Sequence, residues 1–229
     1  MIKISGEALS GGKNASIDDV MVQKVVKDVK EILDLGIEVA IVIGGGNFWR
    51  GRTSENMERT TADYMGMLAT VMNALALQDG FINNEIEAKV MSSIHMTQIA
   101  EPFVRNNAVR YLSEKKVVIF AAGTGNPYFS TDTAAALRSV EISADALLLA
   151  KNVDGVYDKD PAIHNEAKKF DKLTYLDILS NKLNVMDFTA VTLCMDNNMS
   201  IDVFGLDEKD GIKRVCLGEN VGTRIREEF

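Results

Sequence analysis

The chain has 229 residues, of which 46% are hydrophobic and 25% are charged, so it can bury a sizeable core. Its formal net charge of −8 argues against a general nucleic-acid-binding protein, because such proteins present a basic face to phosphate. Two cysteines that form no CxxC pair and two widely separated histidines argue against a disulfide framework and a zinc site. The sequence has no apolar run of about 18 residues and no secretory signal, so we expect a cytoplasmic protein without a membrane span.

Short runs rich in β-branched residues alternate with helical patterns along the chain. This alternation is typical of βαβ units and predicts an α/β fold with a mainly parallel sheet. No repeat, low-complexity segment or linker interrupts it, so one domain over residues 1–229 is expected. The predicted strands are Ile2–Ile4, Val39–Ile43, Ala88–Val90, Val117–Ala121, Ala146–Leu149, Ile201–Phe204 and Val215–Leu217.

Two helices are predicted early in the chain. The first lies between the first two strands, with Ser16 as its expected N-cap and Gly36 suited to end it. The second carries a stripe of apolar residues at helical spacing, which favours a packing or subunit-contact face over a cofactor site. The stripe consists of Met65, Leu68, Met72 and Leu75.

Four predicted strands run at their carboxyl ends into loops of small and polar residues. In an open α/β sheet ligands bind beyond these ends, and glycine lets backbone N–H groups approach a phosphate closely. The loops therefore predict a site for a long, multiply phosphorylated ligand. The P-loop motif GxxxxGK[ST] is absent, and Trp49 and Tyr128 interrupt the dinucleotide motif GxGxxG. The loops read "KISGEAL" (3–9), "GGGNFWRGR" (44–52), "AGTGNPYFSTDTAAALR" (122–138) and "AKNVDGVYDKDP" (150–161).

Six motifs follow one another along the chain: "KISGEAL", "IGGGNFWRG", "DYMGMLATVMNALALQD", "AAGTGNPYFSTDTAAALR", "VDGVYDKDP" and "VMDFTA". Together they resemble the bacterial-type UMP kinases of the amino-acid kinase superfamily, over about residues 2–225. The resemblance implies a three-layer αβα sandwich around the mainly parallel sheet, the amino-acid kinase fold. It also implies transfer of the γ-phosphate of MgATP to UMP, which gives UDP and ADP in pyrimidine nucleotide biosynthesis.

The resemblance also implies four catalytic residues. The acceptor phosphate of UMP is already an anion, so no general base is needed and catalysis is mainly positioning and electrostatic stabilisation. Lys3 is expected to bridge the phosphates being joined and Arg50 to contact phosphate; a solvated surface position is the alternative for both. Asp132 lies in the first turn of a predicted helix, where the positive end of the dipole favours a carboxylate. Asp187 either orients Lys3 or the metal, or only caps the helix that follows it.

Further residues are implied contacts of the two nucleotides. Gly45 is expected to offer its amide to UMP, and Asp63 to accept hydrogen bonds from the ribose. On the ATP side, Tyr157 either lines the nucleotide or packs in the core. Mg²⁺ is expected to be held largely by ATP oxygens and water, with no metal site built from protein ligands. The expected UMP contacts are Gly45, Asp63, Thr124, Gly125, Asn126, Pro127, Tyr128, Phe129, Ser130 and Thr131; the expected ATP contacts are Lys3, Ile4, Ser5, Gly6, Gly46, Arg50, Lys151, Tyr157 and Asp160.

Assembly and regulation are implied in the same way. The resemblance implies a homohexamer that UTP inhibits. In this family GTP activation is linked to a glycine- and phenylalanine-containing segment, and the loop at 9–16 is shorter than that segment, so a weak or absent GTP response is expected. The alternatives are another small-molecule kinase of the superfamily and a nucleotide-binding regulator or storage protein without turnover.

Overall fold

The computed structural model describes residues 1–11, 16–49 and 57–229. A short 3-10 helix, Gly6–Leu9, follows the first strand. The strands are β1 (Ile2–Ile4), β2 (Ala40–Ile43), β3 (Ala88–Ser92), β4 (Glu101–Pro102), β5 (Val117–Ala121), β6 (Leu147–Lys151), β7 (Val156–Tyr157), β8 (Lys169–Phe170), β9 (Lys172–Thr174), β10 (Ile201–Gly205) and β11 (Thr223–Arg226). The helices are α1 (Asp19–Leu33), α2 (Arg59–Asn83), α3 (Arg105–Ser113), α4 (Thr131–Glu141), α5 (Tyr175–Asn181), α6 (Phe188–Asp196) and α7 (Gly211–Cys216).

Within the described residues, nine strands form one sheet in the order β4-β3-β5-β2-β1-β6-β10-β11-β9. All neighbouring strands in it are parallel except β10 and β11, so the prediction of a mainly parallel sheet is confirmed. β7 and β8 form a separate antiparallel pair. β1 lies between β2 and β6, with Lys3 opposite Val42 and Leu149. This order brings the carboxyl ends of β5, β2, β1 and β6 together at one edge of the sheet.

Helices cover both faces of the sheet, as the predicted three-layer sandwich requires. α1, α2 and α7 contribute buried side chains to the core on one face, and α3, α4, α5 and α6 contribute to the core on the other. In β2, Ile41 and Ile43 face the first core, whereas Ala40 and Val42 face the second. Full burial of each isoleucine or valine side chain stabilises the fold by about 1.5–3 kcal/mol, so two apolar layers hold the strand ends in place.

Six of the seven predicted strands coincide with observed strands to within two residues at each end. The prediction of a strand at Val215–Leu217 is wrong, because helix α7 covers this segment as far as Cys216. Ile212 and Val215 are three residues apart and are buried together, which is the spacing of one helix face. A run of three apolar residues does not distinguish a strand from a helix by its periodicity.

The predicted cap of the first helix is also wrong by two residues. Asp18, and not Ser16, is the N-cap of α1, and its carboxylate accepts a hydrogen bond from the backbone N–H of Val20 at 2.9 Å. Aspartate and serine cap helices about equally well, so residue type alone did not favour Asp18 over Ser16. Gly36 follows the end of this helix with a φ of +82°, a conformation that glycine favours.

Helix α2 is long and apolar enough to cross a membrane by length and composition alone, but half of its apolar window is buried inside the fold. Met67, Ala74 and Leu77 are among its core residues. The predicted stripe lies elsewhere on the helix: Leu68 and Met72 are 50% and 45% exposed. The stripe is therefore mostly open to solvent in this chain and does not serve as its core face.

Candidate active site

The centre of the site is an ion pair between Lys3 on β1 and Asp132 in the first turn of α4. Lys3 Nζ lies 2.8 Å from Asp132 Oδ1, and the two side chains are only 12% and 19% exposed. Ser130 caps α4 by accepting hydrogen bonds from the backbone N–H groups of Asp132 and Thr133. The positive end of the helix dipole further stabilises the Asp132 carboxylate. Lys3 is thereby held at the strand edge where the glycine-rich loops converge.

A second lysine lies beside this pair at the carboxyl end of β6. Burial lowers the pKa of Lys151, while nearby Asp132 raises it and Lys3 lowers it further. Lys151 Nζ donates a hydrogen bond to the backbone carbonyl of Val185. Two lysines and one carboxylate therefore share one partly dehydrated region, which favours the binding of additional negative charge.

Asp187 does cap helix α6, since its Oδ1 accepts a hydrogen bond from the backbone N–H of Ala190 at 2.9 Å. It also accepts hydrogen bonds from the hydroxyl groups of Ser130 and Thr133, the latter at 2.9 Å from Oδ2. These are its partners in the described part of the chain, so it meets Lys3 only indirectly, through the start of α4. The carboxylate thus joins the first turn of α6 to the first turn of α4.

A cavity of about 190 Å³ lies between the loop after β2, the loop after β5 and helix α2. Six of the expected UMP contacts line this cavity: Gly45, Asp63, Thr124, Phe129, Ser130 and Thr131. Gly46, expected on the ATP side, also lines it. Four other expected UMP contacts, Gly125, Asn126, Pro127 and Tyr128, belong to the same loop but are not among its lining residues.

Asp63 is held in place by two contacts on one oxygen. Its Oδ2 accepts hydrogen bonds from Arg59 Nε at 2.7 Å and from the backbone N–H of Tyr128 at 2.8 Å. Tyr128 has a φ of +73°, so this hydrogen bond fixes a strained turn of the loop after β5. The guanidinium of Arg59 also lies 5.4 Å from the centre of the Tyr128 ring.

The sequence interpretation missed several residues that line the cavity. Arg59 stands one helical turn before Asp63, and this i,i+4 spacing of opposite charges was a usable signal. Trp49 reaches the cavity while its indole N–H donates to the carbonyl of Ala62 at 2.9 Å. The remaining missed residues are uncharged, and all but the first lie within the quoted motifs without having been assigned a contact: Ala62, Gly66, Met67, Thr70 and Gly123.

The expected ATP contacts follow β1, β2 and β6. Ile4 ends β1, and Ser5 and Gly6 begin the loop after it, pressed against the loop after β2: a Cβ on Gly6 would lie 2.8 Å from the backbone nitrogen of Gly46. Tyr157 is partly exposed, and its hydroxyl donates to Asp154 Oδ1 at 2.6 Å. Asp160 accepts a hydrogen bond from the backbone N–H of Ala162.

Arg50 lies outside the described residues, as do residues 12–15 of the loop at 9–16.

A mainly parallel sheet with a lysine–aspartate pair at the edge where its glycine-rich loops converge is the arrangement expected of an α/β protein that binds and transfers phosphate groups. The model of the amino acid kinase family matches residues 1–205. Over the whole chain, the structure is similar to UMP kinase from Bacillus anthracis, with 40% identity, a TM-score of 0.96 and coverage of 100% of this chain and 95% of that one. The protein therefore belongs to the amino acid kinase family, which confirms the resemblance seen in its motifs.

Two further solved structures show the same similarity. UMP kinase from Ureaplasma parvum is 38% identical, with a TM-score of 0.92 and coverage of 98% and 97% of the two chains. Uridylate kinase from Archaeoglobus fulgidus is 27% identical, with a TM-score of 0.75 and coverage of 98% and 99%.

Proposed function

We propose that this protein is a UMP kinase, which transfers the γ-phosphate of MgATP to UMP and releases UDP and ADP. The observation that carries the proposal is the Lys3–Asp132 pair at the sheet edge where the glycine-rich loops converge. The pair lies beside a cavity that is lined by the loop after β2 and the loop after β5. Similarity to UMP kinases over the full chain supports the choice of UMP as acceptor.

Lys3 is the residue that would cancel repulsion between the two phosphate groups. An ammonium group has three N–H donors, and the contact with Asp132 uses one direction while holding the group in place. In a largely dehydrated site such a fixed cation stabilises the charge on the transferred phosphoryl group without reorganisation. Because the attacking oxygen of UMP carries no proton at neutral pH, the step needs no base from the protein.

The glycine-rich loops and Asp63 would hold the substrates around Lys3. Gly45 would offer its backbone N–H to UMP and Gly46 its own to ATP, since both line the space between the loops. Asp63 would accept hydrogen bonds from the ribose hydroxyls, and Arg50 would add a positive charge near the phosphates. Lys151, Tyr157 and Asp160 would line the ATP side.

The residues near Lys3 fit a phosphate-bound Mg²⁺. Ser5 Oγ is buried without a hydrogen-bond partner among the described residues, and Asp132 Oδ1 is buried with the Lys3 ammonium as its ion-pair partner; hard oxygen atoms of this kind suit Mg²⁺ or its bound water. These two residues would meet an ion held mainly by ATP. When bound, Mg²⁺ neutralises phosphate charge.

We further propose a cytoplasmic homohexamer that acts in pyrimidine nucleotide biosynthesis and is inhibited by UTP. The exposed stripe on α2 supports a subunit contact, because apolar side chains of this size are otherwise left in water. A weak or absent GTP response stays a prediction from the length of the loop at 9–16.

An assay of ADP release with alternative acceptors tests the function. Purified protein with MgATP is given UMP, CMP, carbamate, aspartate or isopentenyl phosphate in separate reactions. The proposal expects UMP to give the highest kcat/KM. Preference for another acceptor would identify a different kinase of the superfamily, and nucleotide binding without ADP release would identify a regulator.

A further inference from the structure

We infer that Asn73 is a positioning residue for phosphoryl transfer, which together with Asn47 sets the orientation of the peptide between Gly44 and Gly45. The inference rests on the proposed function, because it concerns the backbone N–H that Gly45 would present to substrate phosphate. Asn73 lies on α2 and is not among the residues that line the substrate cavity.

Asn73 and Asn47 form a reciprocal pair of buried carboxamides. Asn73 is fully buried, and its Nδ2 donates hydrogen bonds to the carbonyl of Gly44 at 2.7 Å and to Asn47 Oδ1 at 2.8 Å. Asn47 Nδ2 donates in return to Asn73 Oδ1 at 3.0 Å and to the carbonyl of Ser16 at 3.0 Å. All four N–H groups of the two amides are therefore used.

The contact with Gly44 controls where the next N–H group points. A peptide bond is planar and trans, so the carbonyl of Gly44 and the N–H of Gly45 point in opposite directions from the same plane. Asn73 holds that carbonyl towards α2. The N–H of Gly45 is consequently directed away from this amide pair.

The loop after β2 packs closely against α2. A Cβ on Gly45 would lie 2.7 Å from Ala69 Cβ and 2.8 Å from the carbonyl of Gly66, so the loop rests directly on α2. A Cβ on Gly6 would lie 2.5 Å from Asn47 Oδ1, so the same amide pair also supports the loop after β1. The loop after β1 and the loop after β2 therefore both pack against one buried pair of asparagine side chains.

An apolar pair would fill this space without fixing a peptide orientation. Buried polar groups are costly unless they are fully hydrogen-bonded, and a satisfied network favours one arrangement over its alternatives. Without Asn73, both directions of the Gly44–Gly45 peptide remain available to two residues that have no Cβ. Only one direction gives the substrate its donor.

The test compares Asn73→Ala with Gln78→Ala. Gln78 is a matched control on the same helix, where its side-chain amide donates to the carbonyl of Ala88 at 3.0 Å, away from the loops. We expect Asn73→Ala to lower kcat with UMP and MgATP by roughly 10- to 100-fold per folded molecule, since misplacing a catalytic donor by about 1 Å costs about this much. Gln78→Ala should keep kcat within about twofold of the wild type, by the same reasoning.

Two further measurements separate positioning from loss of stability. Kinetics are run well below the thermal midpoint of each variant, with folding checked by circular dichroism. The double variant Asn47→Ala/Asn73→Ala should have a kcat no lower than that of the more impaired single variant, because both substitutions remove the same hydrogen-bonded amide pair. If Asn73→Ala does not fold, Asn47→Ala alone is compared with the control in the same way.

A folded Asn73→Ala variant with the kcat of the wild type would overturn this inference and leave the proposed function intact. Equal losses of kcat in Asn73→Ala and Gln78→Ala would do the same. Failure of the wild type and of Gln78→Ala to phosphorylate UMP would instead overturn the proposed function, and this inference with it.

Discussion

At the scale of single residues, the site depends on charges that are held in place before any substrate arrives. Lys3 is restrained by Asp132, and Asp132 by its place at the start of α4. Asp187 adds to this by binding the hydroxyls of Ser130 and Thr133 at the same helix end. Such preorganisation is effective in phosphoryl transfer, because little covalent chemistry is left for side chains to perform.

Replacing Lys3 by alanine should remove most of the turnover while leaving the fold intact. Loss of one preorganised donor typically lowers kcat by roughly 100- to 1000-fold. The measurement is kcat at saturating UMP and MgATP. Lys30→Ala is the control, because Lys30 is 53% exposed and pairs with Asp34 at the C-terminal end of α1. A Lys3→Ala enzyme that keeps more than about a tenth of wild-type kcat would be incompatible with this role.

Replacing Asp63 by asparagine should weaken the binding of UMP more than that of ATP. Hydrogen bonds to a charged group contribute about 1.5–3 kcal/mol, or roughly 10- to 150-fold in affinity. Deoxy-UMP lacks one ribose donor and should be a much poorer acceptor than UMP. The variant should narrow this gap, so kcat/KM is compared for both acceptors in both proteins. If the wild type has the same kcat/KM for UMP and deoxy-UMP, Asp63 does not bind the ribose and serves only to hold Arg59 and the backbone of Tyr128.

The sequence was sufficient to find residues whose type and position both suit phosphate. Lys3 is a charged residue within a short apolar strand and Asp132 lies in the first turn of a helix, so each carries a signal that can be seen without the fold. Met67 and Thr70 carry no such signal, because an apolar or hydroxyl side chain on a helix becomes a lining residue only through tertiary packing. The indirect role of Asp187 likewise depends on how α4 and α6 meet.

At the scale of elements, helix α2 organises the cavity between the loop after β2 and the loop after β5. Asp63 binds the backbone of Tyr128, Thr70 accepts a hydrogen bond from the backbone N–H of Ala122, and Asn73 binds Gly44. One rigid helix therefore sets the distance between the loop after β2 and the loop after β5. The stability of α2, including that of its N-terminal cap, therefore contributes to the stability of both loops.

Glu58, the N-cap of α2, should contribute stability that is lost in acid. Hydrogen bonds from the hydroxyl and amide of Thr60, and from Thr61, lower the pKa of Glu58 from 4.5 to about 2. A folded-state pKa below the unfolded value means that this contribution is fully present above pH 4.5 and is lost as the pH falls towards 2. Thermal midpoints of wild type and Glu58→Gln should therefore differ at pH 7 and converge across this range.

Glu228→Gln is the control for this experiment, since Glu228 is an exposed carboxylate near the end of the chain. A difference between wild type and Glu58→Gln that stays constant from pH 7 to pH 2 would show that the cap acts through shape and not through charge.

The six strands that were predicted, β1, β2, β3, β5, β6 and β10, consist mainly of apolar residues and could be predicted almost to their ends. β4, β7, β8, β9 and β11 were not predicted. The first four have two or three residues, and β11 has one apolar residue, Ile225, between two arginines, so each owes its conformation to the strands beside it. The segment at Val215–Leu217 shows the reverse case, in which an apolar run is helical because the core lies on one side of it.

At the scale of the whole molecule, the mainly parallel sheet was predictable from the alternation of strands and helices, whereas the layer order came from the family resemblance. The stripe on α2 was predicted from the sequence to be a packing or subunit-contact face, and its exposure in the folded chain favours the subunit contact.

The wild type should therefore sediment as a closed assembly, with six copies expected. Leu68 is 50% exposed on the stripe, so Leu68→Glu should lower the mass, because an unpaired charge is costly in an apolar contact. Ile163→Glu, at a 73% exposed position elsewhere, should leave the mass unchanged. Analytical ultracentrifugation at micromolar protein concentration measures the mass of the wild type and of both variants. A monomeric wild type would exclude the assembly.

The most direct test of the central claim follows the phosphoryl group itself. The protein is incubated with ATP labelled at the γ-phosphate, Mg²⁺ and unlabelled UMP, and the products are separated by chromatography. We predict that the label appears in the β-phosphate of UDP in step with ADP release, and that Lys3→Ala forms labelled UDP far more slowly. Label that remains in ATP, or that appears only as inorganic phosphate, would contradict the claim that this site joins two phosphate groups.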